Sequence, residues 1–106
     1  MLHATLRRYE GVDQGRTDEL TRKINGTLIP KLSKLPGFGG YWVIESEKGV
    51  FTSFGLFDTS DQADESTRVA ADWVREEKLE TTLPNPPMVV DGKIIAHKTT
   101  NGIVQV

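Results

Sequence analysis

PGFGGYWVIESEKGVFTSFGLFDTS, residues 36–60, decides the fold. It reads as two β-strands, roughly Gly39 to Ser46 and Val50 to Asp58, joined by a tight turn through "SEKG" at 46–49. Gly49 takes the turn position that needs a positive φ. A strand with one wet face alternates apolar and polar residues. Here Tyr41, Trp42, Val43 and Ile44 run together, as do Phe54, Gly55, Leu56 and Phe57. One face therefore carries Tyr41, Val43, Phe51 and Phe57, and the other Trp42, Ile44, Phe54 and Leu56. Both are apolar, and both need a cover.

Moving toward the N-terminus, Thr17 to Leu35 predicts a helix, because Leu20, Ile24, Leu28, Leu32 and Leu35 form one apolar stripe. Pro30 interrupts it, since its ring clashes with the carbonyl four residues earlier and it has no N–H to donate. That earlier residue is Gly26, so the expectation is a kinked or two-part helix, ended by Pro36-Gly37. Before it, Leu2 to Glu10 alternates as a strand. Leu2, Ala4 and Leu6 point one way; His3, Thr5, Arg7 and Tyr9 point the other.

Toward the C-terminus, Thr59 and Gln62 form a capping box that opens a second helix reaching about Lys78. Its inward stripe is Ala63, Ser66, Val69, Ala70, Trp73 and Val74. A proline-rich connection, "LPNPPMVVDG", leads to a last strand in "KIIAHKTT", and Asn101-Gly102 could fold "IVQV" back as a hairpin extension. The order βαββαβ predicts an α+β, ferredoxin-like domain over residues 1–106: an antiparallel four-stranded sheet with two helices on one face. Two helices cover one sheet face only. Burial stabilises by roughly 1.5–3 kcal/mol per large apolar side chain, so a second copy stacked on the other face, a homodimer, is the expected solution.

The composition narrows the function classes. The net charge of −2 is too small to point to nucleic acid or a membrane surface, and the basic residues are scattered. There is no cysteine, which removes disulfides, thiolate metal sites and a cysteine nucleophile. No apolar run approaches the roughly 20 residues needed to span a bilayer, and the N-terminus has no signal-peptide core. A cytoplasmic protein is expected.

"YEG" at 9–11, "LPGFGGYWV" at 35–43, "FTSFGLFDTS" at 51–60 and "AADWV" at 70–74 resemble the antibiotic biosynthesis monooxygenase-like (ABM) proteins of the dimeric α/β-barrel superfamily. The resemblance runs from Leu2 to Thr99. It implies a dimeric barrel and a ligand cleft between sheet and helices. It also implies activities that include cofactor-independent oxygenation of aromatic polyketides and heme degradation. The heme-degrading members use an asparagine on the first strand, a tryptophan in the third-strand region and a histidine on the second helix. This sequence has none of them there.

Within that cleft Trp73 is the first candidate wall, with Phe57 as a second, and Ser66 and Ala70 leave room beside Trp73 for a flat ligand. The competing reading makes Trp73 plain core. Arg7 and Tyr9 could hold an anionic or phenolate ligand, or Arg7 could pair with a carboxylate such as Glu45 across the dimer. His97, expected on the last strand beside His3 on the first, is the candidate catalytic base or proton relay; a structural histidine pair is the alternative. No cofactor and no metal are expected, because two isolated histidines and scattered carboxylates lack ligand spacing. "GFGG" at 37–40 precedes a strand and offers no phosphate-binding helix terminus. The expected function is a cofactor-independent monooxygenase acting on an aromatic or quinol-like small molecule. The alternative is a non-catalytic dimer that binds a hydrophobic metabolite or serves a stress response.

Overall fold

In the computed structural model, which describes residues 2–98, β1 (His3–Tyr9) leads through a short 3-10 turn (Gln14–Arg16) into a composite first helix. β2 (Phe38–Glu47) and β3 (Val50–Phe57) follow as a hairpin. Helix α3 (Ser60–Glu76) and strand β4 (Met88–Lys93) complete the order. The sheet order is β2-β3-β1-β4 with every neighbouring pair antiparallel. This is the ferredoxin-like α+β arrangement expected from the sequence.

The hairpin forms where its pattern placed it. Glu47 pairs with Val50 across a two-residue turn, and Gly49 has φ +78°. Its inner face carries Phe51, Ser53, Gly55 and Phe57, all buried. Trp42, Ile44, Phe54 and Leu56 take the outer face, and Trp42 lies directly opposite Phe54. The two rings pack at 5.7 Å between centroids.

The first helix does not break at Pro30. Instead α1 (Thr17–Lys23) passes into a π-helical segment (Ile24–Leu28) and then into α2 (Ile29–Ser33). The Ile29 N–H donates to the Ile24 carbonyl five residues back, and this widened turn gives the proline ring room beside the Gly26 carbonyl. The apolar stripe survives the change. Leu20, Ile24, Leu28 and Leu32 are all buried in one core with Ala70, Trp73, Phe51 and Leu79.

Helix α3 opens on the predicted capping box. Thr59 Oγ1 accepts from the Gln62 N–H at 3.2 Å, and Gln62 Oε1 accepts from the Thr59 N–H at 3.1 Å. It ends in a Schellman motif: Lys78 N–H donates to the Arg75 carbonyl and Leu79 N–H to the Val74 carbonyl. Lys78 is held at φ +56°, a left-handed conformation that glycine usually supplies.

One element differs from expectation. The last strand is "MVVDGK", not "KIIAHKTT". An antiparallel ladder can extend only as far as its partner does. Met88 pairs with Arg8 and Lys93 with His3, so β1 is used up at Lys93. A single further bond, Ile94 N–H to the Leu2 carbonyl at 2.8 Å, prolongs the contact. The prolines at 84, 86 and 87 fix the other limit, because they cannot donate to a ladder. The proposed Asn101-Gly102 hairpin lies outside the described residues.

Candidate functional site

Between the sheet and the helices lies a narrow pocket with about 30 Å³ of free cavity volume, the room of one or two water molecules. The first helix contributes Leu20, Ile24 and Leu28, α3 contributes Ala70 and Trp73, and Val43 and Phe51 rise from the sheet. These walls are apolar. The polar groups gather at the β1 side: Arg7, Tyr9, Tyr41 and Ser53. The pocket adjoins a wider groove of about 280 Å³ that runs outward along α3 and the proline-rich connection. Arg7, Tyr9 and Leu83 line both spaces and so stand between them.

Trp73 is 3% exposed, and its indole Nε1–H donates to Thr27 Oγ1 at 2.6 Å. Thr27 in turn donates to the Lys23 carbonyl at 2.8 Å. The π-helical segment thus supplies the acceptor that fixes the indole plane. Trp73 belongs to the buried core and also lines the pocket.

Arg7 is the unusual group. It is 2% exposed, and among the described residues no carboxylate lies within ion-pair distance of it. Its Nη1 donates to Thr67 Oγ1 at 3.3 Å and its Nη2 to the Tyr41 hydroxyl at 3.4 Å, both long bonds to neutral acceptors. Among the described residues its Nε has no hydrogen-bond partner. Arg7 is buried on the helix side of its own sheet and forms no ion pair with Glu45 within the chain. Burial raises the Tyr9 phenol above its ordinary pKa, against the opposing pull of the neighbouring Arg7 cation. Tyr9 is therefore a neutral hydrogen-bonding group near pH 7.

The other expected site residues lie elsewhere. Phe57 is 0% exposed and stacks edge-to-face on Phe38 at 5.9 Å, in packed core and not in the cavity lining. Ser66 is buried with its hydroxyl donating back to the Ala63 carbonyl at 2.6 Å, a bond that keeps it within its own helix. His97 is exposed in the segment after β4. It borders the outer sheet face with Ala4, Trp42, Phe54 and Leu56, across the sheet from Arg7 and Trp73. It lies there because β4 ends at Lys93, the residue opposite His3, so His97 is past the strand and not on it. Ser53, Tyr41 and Thr67 join the site without having been singled out. Ser53 had a signal, a hydroxyl at an inward position between Phe51 and Gly55. Among the described residues no three metal-ligating side chains converge.

No family model matches the chain, and no curated protein matches it. Solved structures do. The chain is similar to NE2512, a protein of unknown function from Nitrosomonas europaea, with a TM-score of 0.73 at 18% identity over 95% of this chain and 96% of that one. A candidate antibiotic biosynthesis monooxygenase from the same organism gives a TM-score of 0.73 at 12% identity, over 89% and 90% of the two chains. A monooxygenase from the ActVA-Orf6 gene of Streptomyces coelicolor, solved with nanaomycin D, gives 0.68 at 16% identity, over 93% and 92%. The chain thus has the fold of proteins named as antibiotic biosynthesis monooxygenases, matched over most of its length, which is the resemblance its motifs carried.

Proposed function

We propose that this protein is a cofactor-independent monooxygenase that binds a flat aromatic or quinol-like molecule in the cleft. The observation that carries the reading is the cavity itself: apolar walls and a fixed indole at one side, with Arg7, Tyr9 and Tyr41 gathered at the other. Such a site takes an aromatic body and orients a polar substituent. The similarity to structures named as monooxygenases, one of them holding nanaomycin D, supports the same class.

The substrate supplies the electrons. For an anthrone-type ring system, a CH₂ group between two aryl rings reacts with one O₂ to give a ketone and one water. One oxygen atom enters the product, and the other leaves with the two hydrogens. The reactive species is the enolate or phenolate, and a buried guanidinium beside the cavity favours that ionised form. Tyr9 and Tyr41 donate or accept hydrogen bonds at the same end. His97, on the far side of the sheet, takes no step in this scheme.

The working unit in this proposal is a homodimer joined through the outer sheet faces. That face exposes Ile44 at 58%, Val90 at 60% and Met88 at 65%, next to Trp42, Phe54 and Leu56. A symmetric stack of two such faces is self-complementary and removes the apolar patch from water.

Oxygen uptake by a panel of anthrones and quinols tests the activity. The expected result is uptake above the spontaneous rate for at least one class, with one O₂ consumed per ketone formed. Rates equal to buffer alone across the panel would overturn it and leave a non-catalytic binding protein.

A further inference from the structure

We infer that the cleft is a receptor for an aromatic anion, with a negatively charged oxygen of the ligand seated against Arg7 Nε and Ser53 Oγ. The inference deepens the proposed function by naming the ligand's charge and where it sits. It rests on the cleft being the binding site.

Three buried polar atoms have no hydrogen-bond partner among the described residues: Arg7 Nε, Ser53 Oγ and Thr5 Oγ1. They share one patch. Arg7 on β1 is directly opposite Ser53 on β3, and Thr5 is two residues along the same face of β1, opposite Gly55. Arg7 and Ser53 both line the cavity, and they are 2% and 4% exposed. Buried polar atoms in folded proteins are nearly always paired, so three orphans side by side call for a missing partner.

The missing partner must be an acceptor and must carry charge. A guanidinium has only donors, so Nε needs an acceptor, and a serine hydroxyl beside it can donate to the same atom. Removing a cation from water without a counter-charge costs several kcal/mol. The acceptors around Arg7 among the described residues are neutral hydroxyls, Thr67 at 3.3 Å and Tyr41 at 3.4 Å, with the Tyr9 phenol beside them. An anionic oxygen between Nε and the Ser53 hydroxyl would satisfy both and neutralise the cation through charge-assisted bonds. The apolar walls around Trp73 then take the aromatic body to which that oxygen is attached.

Two sources supply such an oxygen, a carboxylate or an ionised phenol. Titration calorimetry with 2-naphthoate, 2-naphthol and the neutral 2-naphthalenemethanol separates them. The inference predicts that an anion binds at least about tenfold more tightly than the alcohol, the scale of one charge-assisted hydrogen bond. A carboxylate site prefers naphthoate at pH 7. A phenolate site prefers 2-naphthol, with affinity rising with pH and the naphtholate absorbance band appearing on binding. In Arg7→Met the preference should fall to within about twofold, and Ser53→Ala should weaken the anion alone by several-fold.

Ser53→Ala removes a buried hydroxyl with no partner among the described residues, and Arg7→Met removes a buried cation without a counter-charge at the cost of two long hydrogen bonds, so melting temperatures at or near the parent's are expected. If Arg7→Met does not fold, Ser53→Ala carries the test. Equal affinity for all three probes, no binding by any of them, or an anion preference unchanged in the variants overturns the inference. The readings remain separable. Anion preference without oxygen uptake defeats the monooxygenase proposal and leaves this one, whereas uptake without anion preference does the reverse.

Discussion

Trp73 joins core packing and pocket lining in one side chain. Its indole is tied to Thr27 and its face lines the cavity. Trp73→Phe should lose the hydrogen bond and part of the volume, costing roughly 1–3 kcal/mol in chemical denaturation. The same variant should weaken binding of an aromatic probe. Unchanged stability would contradict the hydrogen bond, and unchanged binding would contradict the wall. Tyr9 gives a pH signature. Its folded pKa is raised, so the native state holds the phenolic proton at pH values where the unfolded chain has released it. Stability from this group is intact below the unfolded pKa of about 10 and falls as pH climbs above it. Tyr9→Phe should therefore show a shallower loss of stability above about pH 10 than the parent. Three of the expected site residues, Arg7, Tyr9 and Trp73, meet at the cavity, because strand alternation and helix periodicity say which face a residue takes. Phe57, Ser66 and His97 do not. The face of a residue is written in the local pattern, but its position along the cleft depends on how the layers slide together.

At the scale of elements, spacing carried more than propensity. Leu20, Ile24, Leu28 and Leu32 recur every four residues, and at about 100° per residue a regular helix would carry that stripe about 120° around its axis. The π-helical segment at Ile24–Leu28 absorbs part of that drift, so all four stay buried. The expectation of a kinked or two-part helix came from Pro30 and Gly26, and the four-residue spacing from Leu20 to Leu32 was a further clue to the widened turn. The last strand was misplaced for a different reason. "KIIAHK" is more strand-like than "MVVDGK" by composition, yet the length of β1 decides which residues find a partner. The end of α3 yields a prediction. Lys78→Gly relieves the left-handed backbone at φ +56° and should raise stability by about 0.5–1 kcal/mol, read as a higher denaturation midpoint. A lower midpoint would mean that the Schellman geometry does not hold in solution.

For the whole molecule, the sheet separates two different faces. Its helix side encloses the cavity, and its outer side presents Trp42, Ile44 and Phe54 toward a second copy in the proposed dimer. None of the helices in the described residues is long and apolar enough to cross a membrane. Phe54→Asp puts a charge at the centre of the outer face and should shift the protein to a monomer by sedimentation equilibrium at micromolar concentration, with the circular dichroism spectrum retained. A parent protein that is already monomeric under those conditions would contradict the dimer. The central claim, that ligands enter the cleft between sheet and helices, has a built-in reporter on each side of the sheet. The chain has two tryptophans, Trp73 in the cleft and Trp42 on the outer face. In a ¹H–¹⁵N correlation spectrum each gives one indole N–H resonance, assignable with Trp42→Phe. Titration with 2-naphthoate or 2-naphthol should move the Trp73 resonance to saturation and leave that of Trp42 in place. Movement of the Trp42 resonance alone, or of neither, would contradict the account.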